Sequence, residues 1–179
     1  AAQIAQTQIV GCARIRFGTG RRGPRPAHLG FGRQPGVTAV SHYFTAPSAA
    51  EKRRSVDVRF WDTDWRFTTA NEVFSADGLD LGTAVLLRSS APPADATRLL
   101  DLGCGWGVLA VALATACPSA VVDAVDVNPR ALALTADNAR AHRVGERVRA
   151  LTPDAVEPDV LYDEIWSNPP IRIGKQALH

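Results

Sequence analysis

Apolar and polar side chains alternate over residues 56–60 and again over residues 65–68, with the turn residues Asp62, Thr63 and Asp64 between the two runs. Alternation with a period of two is typical of strands that bury one face. The pattern therefore predicts an antiparallel β-hairpin near the start of the folded part of the chain.

A different pattern begins near residue 98, where short apolar runs alternate with stretches of helical character. Asn128 followed by Pro129 is a typical helix start, because asparagine caps the helix and proline is favoured at its first position. Strands separated by helices pair in parallel, with right-handed crossovers. We therefore predict an α/β fold whose parallel sheet carries helices on its faces. The predicted strands are 99–102, 121–127, 148–151 and 161–166, and the predicted helices are 83–88, 108–116 and 129–142.

Residues 1–40 differ in composition from the rest of the chain. They hold seven of the 14 glycines, three of the 12 prolines and six arginines, but no acidic residue. Glycine and proline at this density interrupt every helical or strand period. We predict that residues 1–40 are a disordered tail or lie outside the natural gene product, and that residues 41–179 form the folded domain. A flexible basic arm for nucleic acid is the alternative for this tail.

The net charge of +2 over 179 residues conceals an asymmetry, because removing the six tail arginines leaves 14 basic and 18 acidic residues, or −4, in residues 41–179. No apolar run approaches the roughly 18 residues that a membrane span needs. The three cysteines form no C-x-x-C pair, which argues against a disulfide framework or a structural zinc site. These features predict a cytoplasmic protein without a membrane or metal partner.

A glycine-rich loop, residues 101–107, lies between the first parallel strand and the helix after it. Glycine lets backbone turn tightly and approach a ligand closely, although a purely structural turn is the alternative. A dinucleotide fingerprint counted from Gly103 requires glycine where Val108 stands, which disfavours a nicotinamide oxidoreductase. Asp101 would repel a pyrophosphate but suits a ligand with ammonium and sulfonium groups, such as S-adenosylmethionine. The residues predicted to bind this cofactor are Asp101, Gly103, Gly105 and Gly107.

Two further acidic residues follow the next two strands. Asp126 closes the second strand, where a carboxylate can accept hydrogen bonds from both ribose hydroxyls of the cofactor. Asp154 follows the third strand and is placed to meet the adenine amino group. A solvated loop aspartate beside Pro153 is an equally good interpretation of Asp154.

The fourth predicted strand ends in Ser-Asn-Pro-Pro, residues 167–170. The two prolines remove backbone donors, so the side-chain oxygen of Asn168 and the carbonyl of Pro169 can both point outward as acceptors. Such a pair can accept both N–H bonds of a planar amino group and aim its lone pair at a methyl donor. A plain loop stop is the alternative. Combined with the glycine loop, the pattern favours N-methyl transfer, with Asn168, Pro169 and Pro170 as catalytic residues.

Across residues 42–179 the chain resembles class I S-adenosylmethionine-dependent methyltransferases of the methyltransferase small domain family. That family includes the ribosomal RNA guanine-N2 methyltransferases of the small subunit, and the chain is most similar to short, single-domain bacterial members. The Asn-Pro-Pro element is also shared with enzymes that methylate DNA adenine or a protein glutamine amide. The stretches that carry the resemblance are His42-Tyr43-Phe44, Val73-Phe74-Ser75, Asp80-Leu81-Gly82-Thr83, residues 101–107, Asp126 and residues 168–175.

The resemblance implies a Rossmann-like class I methyltransferase sheet of seven strands in the order 3-2-1-4-5-7-6. By this resemblance we expect strands 1–4 to be present and strands 5–7 to be missing, which would leave a C-terminally truncated sheet preceded by the antiparallel hairpin. The implied cofactor contacts are Asp101, Gly103, Gly105, Asp126 and Asp154, with residues 168–170 at the target nitrogen.

The implied reaction is methylation of an exocyclic amine, with guanine N2 of ribosomal RNA as the expected substrate. DNA adenine, protein glutamine and a non-catalytic fragment are the alternatives. Ile171 stands where many Asn-Pro-Pro enzymes carry a stacking aromatic residue. An RNA enzyme should also present a basic face, yet only Arg172 and Lys175 flank the Asn-Pro-Pro element, and two solvated charges explain them equally.

Overall fold

The structure, a computed structural model, describes the backbone of residues 13–16 and the whole of residues 50–168. These residues form seven strands, three α-helices and a single 3-10 turn in an α/β arrangement. The elements are, in chain order, β1 (Ala13–Arg16), β2 (Arg53–Phe60), β3 (Thr63–Ala70), α1 (Leu81–Ser89), β4 (Arg98–Leu102), α2 (Val108–Ala116), β5 (Val121–Val125), α3 (Pro129–Ala141), β6 (Val148–Leu151), the 3-10 turn Pro153–Ala155 and β7 (Glu164–Ser167).

The main sheet has five strands in the order β1-β7-β4-β5-β6. Strands β7, β4, β5 and β6 are parallel, and they follow the order 4-1-2-3 of the implied methyltransferase sheet. The predicted parallel α/β fold is therefore confirmed. Since the strands run in one direction, their carboxyl ends meet at one edge, where open α/β sheets bind ligands.

Strands β2 and β3 form the predicted hairpin as a separate two-stranded sheet. Its turn consists of Trp61 and Asp62, with φ angles of 47° and 55°. The prediction of a turn at residues 62–64 was wrong by position, because Thr63 and Asp64 already belong to β3. A two-residue turn with positive φ at both positions matches the twist of the flanking strands, so the hairpin adopts it instead of the longer predicted turn.

Residues 13–16 lie in the segment for which we predict a disordered tail or sequence outside the natural gene product, and they pair antiparallel with β7 as strand β1. The edge of a sheet offers unpaired backbone N–H and C=O groups, and these can pair with any extended segment whatever its side chains. Composition alone therefore carries little information about such a strand. The rest of residues 1–40 lies outside the described residues.

The core lies between the sheet, α2 and α3. Residues 108–114 of α2 are all buried, as expected for a helix that is apolar all round. The hairpin is attached through Trp61, whose ring makes an edge-on contact with the buried Trp166 of β7 at 6.1 Å between centroids. The Trp61 indole N–H also lies 2.9 Å from the carbonyls of both Leu87 and Ser90 at the end of α1. These contacts attach α1 to the hairpin.

Candidate active site

A cavity opens at the carboxyl ends of β4 and β7. Its walls come from three parts of the chain: the segment that leads into α1, the glycine loop with the start of α2, and Asn168 after β7. The residues that line it include Asp80, Thr83, Asp101, Gly103, Gly105 and Asn168. Four of the residues predicted from sequence therefore share one cavity, in the part of the chain that the structure describes.

The glycines of the loop have two kinds of surroundings. Gly103 and Gly105 have φ angles of +78° and +55°, and a Cβ added at either would meet no atom within 4 Å. Gly107, at φ +88°, is tightly packed, since a Cβ there would lie 2.9 Å from Thr135 Oγ1. Gly103 and Gly105 thus leave open space beside the cavity, whereas Gly107 lies outside its lining and allows α2 to approach α3.

Two polar side chains of α3 hold the glycine loop from behind. Thr135 Oγ1 donates to the Gly105 carbonyl at 3.0 Å, and Asn138 Nδ2 donates to the Trp106 carbonyl at 2.7 Å. Both side chains are buried. Neither residue was predicted from sequence, although polar residues three positions apart on the inward face of an amphipathic helix were the available signal.

Asp101 is the most unusual group in the cavity wall, because its side chain is only 1% exposed. Its Oδ2 accepts a hydrogen bond from the Ala110 backbone N–H at 3.0 Å, while its Oδ1 has no hydrogen-bond partner within the described part of the chain. Burial, assisted by the charge of Asp126, raises the pKa of Asp101 to about 7, although the hydrogen bond from Ala110 acts in the opposite direction. A buried carboxylate oxygen without a partner matches a cationic ligand group.

Asp126 supports the loop directly. Its Oδ2 accepts from the Gly105 N–H and its Oδ1 from the Asn128 N–H, each at 2.9 Å. The structure does not place Asp126 in the lining of the cavity, and Asp154 is exposed in the 3-10 turn after β6, also outside the lining. A hydrogen bond from the Thr152 side chain lowers the pKa of Asp154.

Asn168 is buried at the end of β7 and faces the start of α1. Its Nδ2 donates to Asp80 Oδ2 at 2.7 Å and to Thr83 Oγ1 at 2.8 Å. Neither of these two partners was predicted from sequence. The other predicted members of this element, Pro169 and Pro170, lie outside the described residues, as do Arg172 and Lys175.

Cys104 lies within the glycine loop but has the environment of a packing residue. Burial raises the pKa of its thiol well above the ordinary range, and the charges of Asp101 and Asp126 raise it further. Its Sγ lies 3.5 Å from Thr135 Oγ1. Such a thiol is a poor nucleophile at neutral pH.

Neither a membrane span nor a metal cluster is found in the described ranges 13–16 and 50–168. No helix there is long and apolar enough to cross a bilayer. No group of three or more histidine, cysteine, aspartate or glutamate side chains there is arranged to hold a metal ion.

Comparison with known proteins identifies the family. The family model "Methyltransferase small domain" matches residues 64–179. The Bacillus subtilis protein YbxB, which is described as uncharacterised, is 31% identical over 142 residues, covering 77% of this chain and 70% of that protein. The ribosomal RNA small subunit methyltransferase C of Hahella chejuensis is 45% identical over 103 residues, covering 57% of this chain and 29% of that enzyme.

Other similar proteins differ in substrate. The release factor glutamine methyltransferase of Bordetella pertussis is 47% identical over 87 residues, covering 47% of this chain and 31% of that enzyme. Among solved structures, the Thermus thermophilus 16S rRNA N2 G1207 methyltransferase RsmC, in complex with AdoMet and guanosine, superposes with a TM-score of 0.60 at 24% identity. That match covers 72% of this chain and 36% of that enzyme, and it shows the fold.

The chain thus spans about a third of the length of these named enzymes and more than two thirds of YbxB. The family model covers well over half of the chain, from the first residues of β3 onward. Sheet order, glycine loop and family model agree, and this chain belongs to the methyltransferase small domain family.

Proposed function

We propose that this chain transfers a methyl group from S-adenosylmethionine to an exocyclic amino group, and that its substrate is guanine N2 in ribosomal RNA. The observation that carries the proposal is a cavity that brings together Asn168, the open glycine positions and an Asp101 carboxylate oxygen without a partner in the described part of the chain. Each of these features suits a different part of the reaction.

The acidic side chains and the open glycine positions fit the functional groups of the cofactor. Asp101 Oδ1, buried and without a partner in the described residues, would accept a hydrogen bond from the ammonium group of the cofactor. Gly103 and Gly105 would let it lie against the backbone. Asp126 would accept from the ribose hydroxyls, because each of its oxygens has lone-pair capacity beyond the one backbone bond shown. Asp154 would meet the adenine amino group. When bound, the cofactor supplies an electrophilic methyl group on a positively charged sulfur.

Asn168 would act on the amine that receives the methyl group. Both N–H bonds of its amide are donated to protein acceptors, so the amide presents its oxygen as the group that interacts with substrate. An amine N–H donated to that oxygen, with a second donated to the Pro169 carbonyl, would hold the nitrogen lone pair in line with the methyl group. Alignment of this kind supplies a large part of the rate in a displacement reaction.

The choice of an RNA substrate rests on the relatives. Several of the similar proteins are named as ribosomal RNA methyltransferases, and the structural neighbour was solved with guanosine. Guanine N2 and a glutamine amide are both planar nitrogens with two N–H bonds, so the site chemistry accepts either. The similarity to a release factor glutamine methyltransferase makes protein glutamine the second candidate.

Transfer of tritium from labelled S-adenosylmethionine tests this proposal. We expect the full chain to label ribosomal RNA in small subunits, and nucleoside digestion to recover the label as N2-methylguanosine. Asn168→Ala and Asp101→Asn should abolish transfer, whereas Arg88→Ala, an exposed position on α1, should keep it. Label in release factor but not in RNA would reject the RNA substrate. No label in any substrate, together with no calorimetric binding of S-adenosylhomocysteine, would reject the methyltransferase activity.

A further inference from the structure

We propose that Asp80 and Thr83, at the start of α1, are positioning residues that hold the Asn168 amide with its oxygen toward the reacting amine. The inference rests on the proposed function, because it concerns how the catalytic asparagine is oriented. Neither residue has to touch the substrate for this role.

The contact is built into the helix cap. Asp80 is the N-cap of α1, and its Oδ2 accepts from the backbone N–H groups of Gly82 at 2.7 Å and Thr83 at 3.3 Å. The same Oδ2 accepts the Asn168 Nδ2 at 2.7 Å. One oxygen atom therefore joins the start of α1 to the end of β7, and the geometry of the cap determines where the amide can lie.

Only one orientation of the amide satisfies both partners. A carboxylate has no proton to donate, so rotating the Asn168 amide by 180° would place its oxygen against Asp80 Oδ2, acceptor against acceptor. The Thr83 hydroxyl receives the second amide proton at 2.8 Å. With both hydrogens of Nδ2 assigned, the side-chain amide can meet an amine only through its oxygen.

Burial makes this orientation persistent. Thr83 is 9% exposed and Asn168 is 8% exposed, so water has little access to compete for these bonds. The helix itself is attached at its other end, where the indole N–H of Trp61 donates to the carbonyls of Leu87 and Ser90. The cap thus sits on a helix held at both ends.

The bond to Asp80 also acts on the electronic state of the amide. Hydrogen bonds to an ionised acceptor are stronger than neutral ones, and bonds in a chain polarise one another. Donation from Nδ2 to a carboxylate moves electron density toward the amide oxygen. The oxygen then becomes a better acceptor for the amine N–H.

Paired substitutions separate positioning from helix capping. Serine is as good an N-cap as aspartate but is too short to bridge to Asn168, so Asp80→Ser keeps the cap and removes the bridge. Asp80→Asn keeps the cap and provides a neutral acceptor. Thr83→Val removes the hydroxyl at nearly constant shape, and Thr83→Ser restores it. Arg88→Ala on the same helix is the control for changes in α1 that do not reach Asn168.

We expect Asp80→Ser and Thr83→Val each to lower kcat by about 10-fold and together by about 100-fold, with KM for the cofactor unchanged within about twofold. Asp80→Asn and Thr83→Ser should recover most of that loss. A rise in KM for the cofactor with kcat intact would overturn the proposal, and so would equal losses in Asp80→Ser and Asp80→Asn.

A second measurement keeps the inference testable whatever the substrate proves to be. In the wild-type protein the side-chain amide protons of Asn168, observed by NMR, should exchange slowly with solvent. In the double variant Asp80→Ser, Thr83→Val they should exchange at least about 100-fold faster. If the wild type methylates nothing, the proposed function fails while this test still decides the contact. Rapid exchange in the wild type would refute the contact itself.

Discussion

Replacing Asp101 by asparagine should stabilise the unliganded protein at alkaline pH while it weakens cofactor binding. The pKa of Asp101 is raised to about 7 from an ordinary value of 3.8, mainly by burial. The folded protein therefore keeps a proton that the unfolded chain has lost. Stability associated with the neutral carboxyl is fully present below about pH 4 and is lost as the pH rises through about 7. Asparagine is neutral at every pH, so the variant does not suffer this loss.

The magnitude follows from the two pKa values. They differ by about 3, and one unit of pKa corresponds to about 1.4 kcal/mol, which sets an upper limit of about 4 kcal/mol above pH 7. Between pH 5 and pH 8 the difference in unfolding free energy between variant and wild type should widen by about 2 to 3 kcal/mol. The asparagine oxygen can still accept the Ala110 N–H, so the α2 contact is retained.

Urea unfolding followed by tryptophan fluorescence at pH 5 and pH 8 measures this difference. Subtracting wild type from variant at each pH cancels the titration of the other groups. Calorimetry with S-adenosylhomocysteine should show at least about 30-fold weaker binding to the variant, because the charge that would receive the ammonium is gone. A stability difference that does not change with pH would refute the titration of Asp101, and unchanged affinity would refute its contact with the ammonium.

Three other substitutions or measurements test local features. Gly107→Ala should lower the free energy of unfolding by about 2 kcal/mol, measured in urea, because its φ is +88° and the added Cβ would lie 2.9 Å from Thr135 Oγ1. Native Cys104 should react with a disulfide reagent at pH 8 at least about 100-fold more slowly than the urea-unfolded chain, since burial raises its pKa. Asp123→Ala should cost about 2 to 3 kcal/mol in urea unfolding at pH 7. Although burial raises the pKa of Asp123, hydrogen bonds from Arg149 and other neighbours lower it overall, so its contribution should be lost as the pH falls below about 4.

The parts of the fold that were predicted well have local causes. Helix α2 occupies the predicted residues 108–116, since its apolar run begins at the glycine loop and ends before Pro118. Helix α3 begins as predicted, with Asn128 Oδ1 accepting the Arg130 N–H at 3.0 Å. The parallel sheet followed from the alternation of strands and helices. That arrangement also predicted that the glycine loop and Asn168 lie at the same edge.

The parts that escaped prediction depend on contacts between distant residues. Asn168 and Asp80 are 88 positions apart. No local sequence pattern indicates that a helix N-cap also accepts a hydrogen bond from a side-chain amide at the end of a distant strand. Strand β1 pairs through its backbone, to which side-chain composition is a poor guide. The apolar pattern predicted that the fourth parallel strand begins at residue 161. Strand β7 instead begins at Glu164, because its pairing with β4 begins opposite Leu99.

Asn138 couples the local opening of the hairpin to that of the glycine loop, which native-state hydrogen exchange would detect. Its Nδ2 donates to the carbonyls of both Thr68 and Trp106, and its Oδ1 accepts the Thr68 N–H. The hairpin cannot separate from α3 without breaking its hydrogen bonds to Asn138, and the same side chain holds the glycine loop. The two segments should therefore open as one cooperative unit. Protection factors in β3 would then rise together with those of the loop when a ligand occupies the cavity.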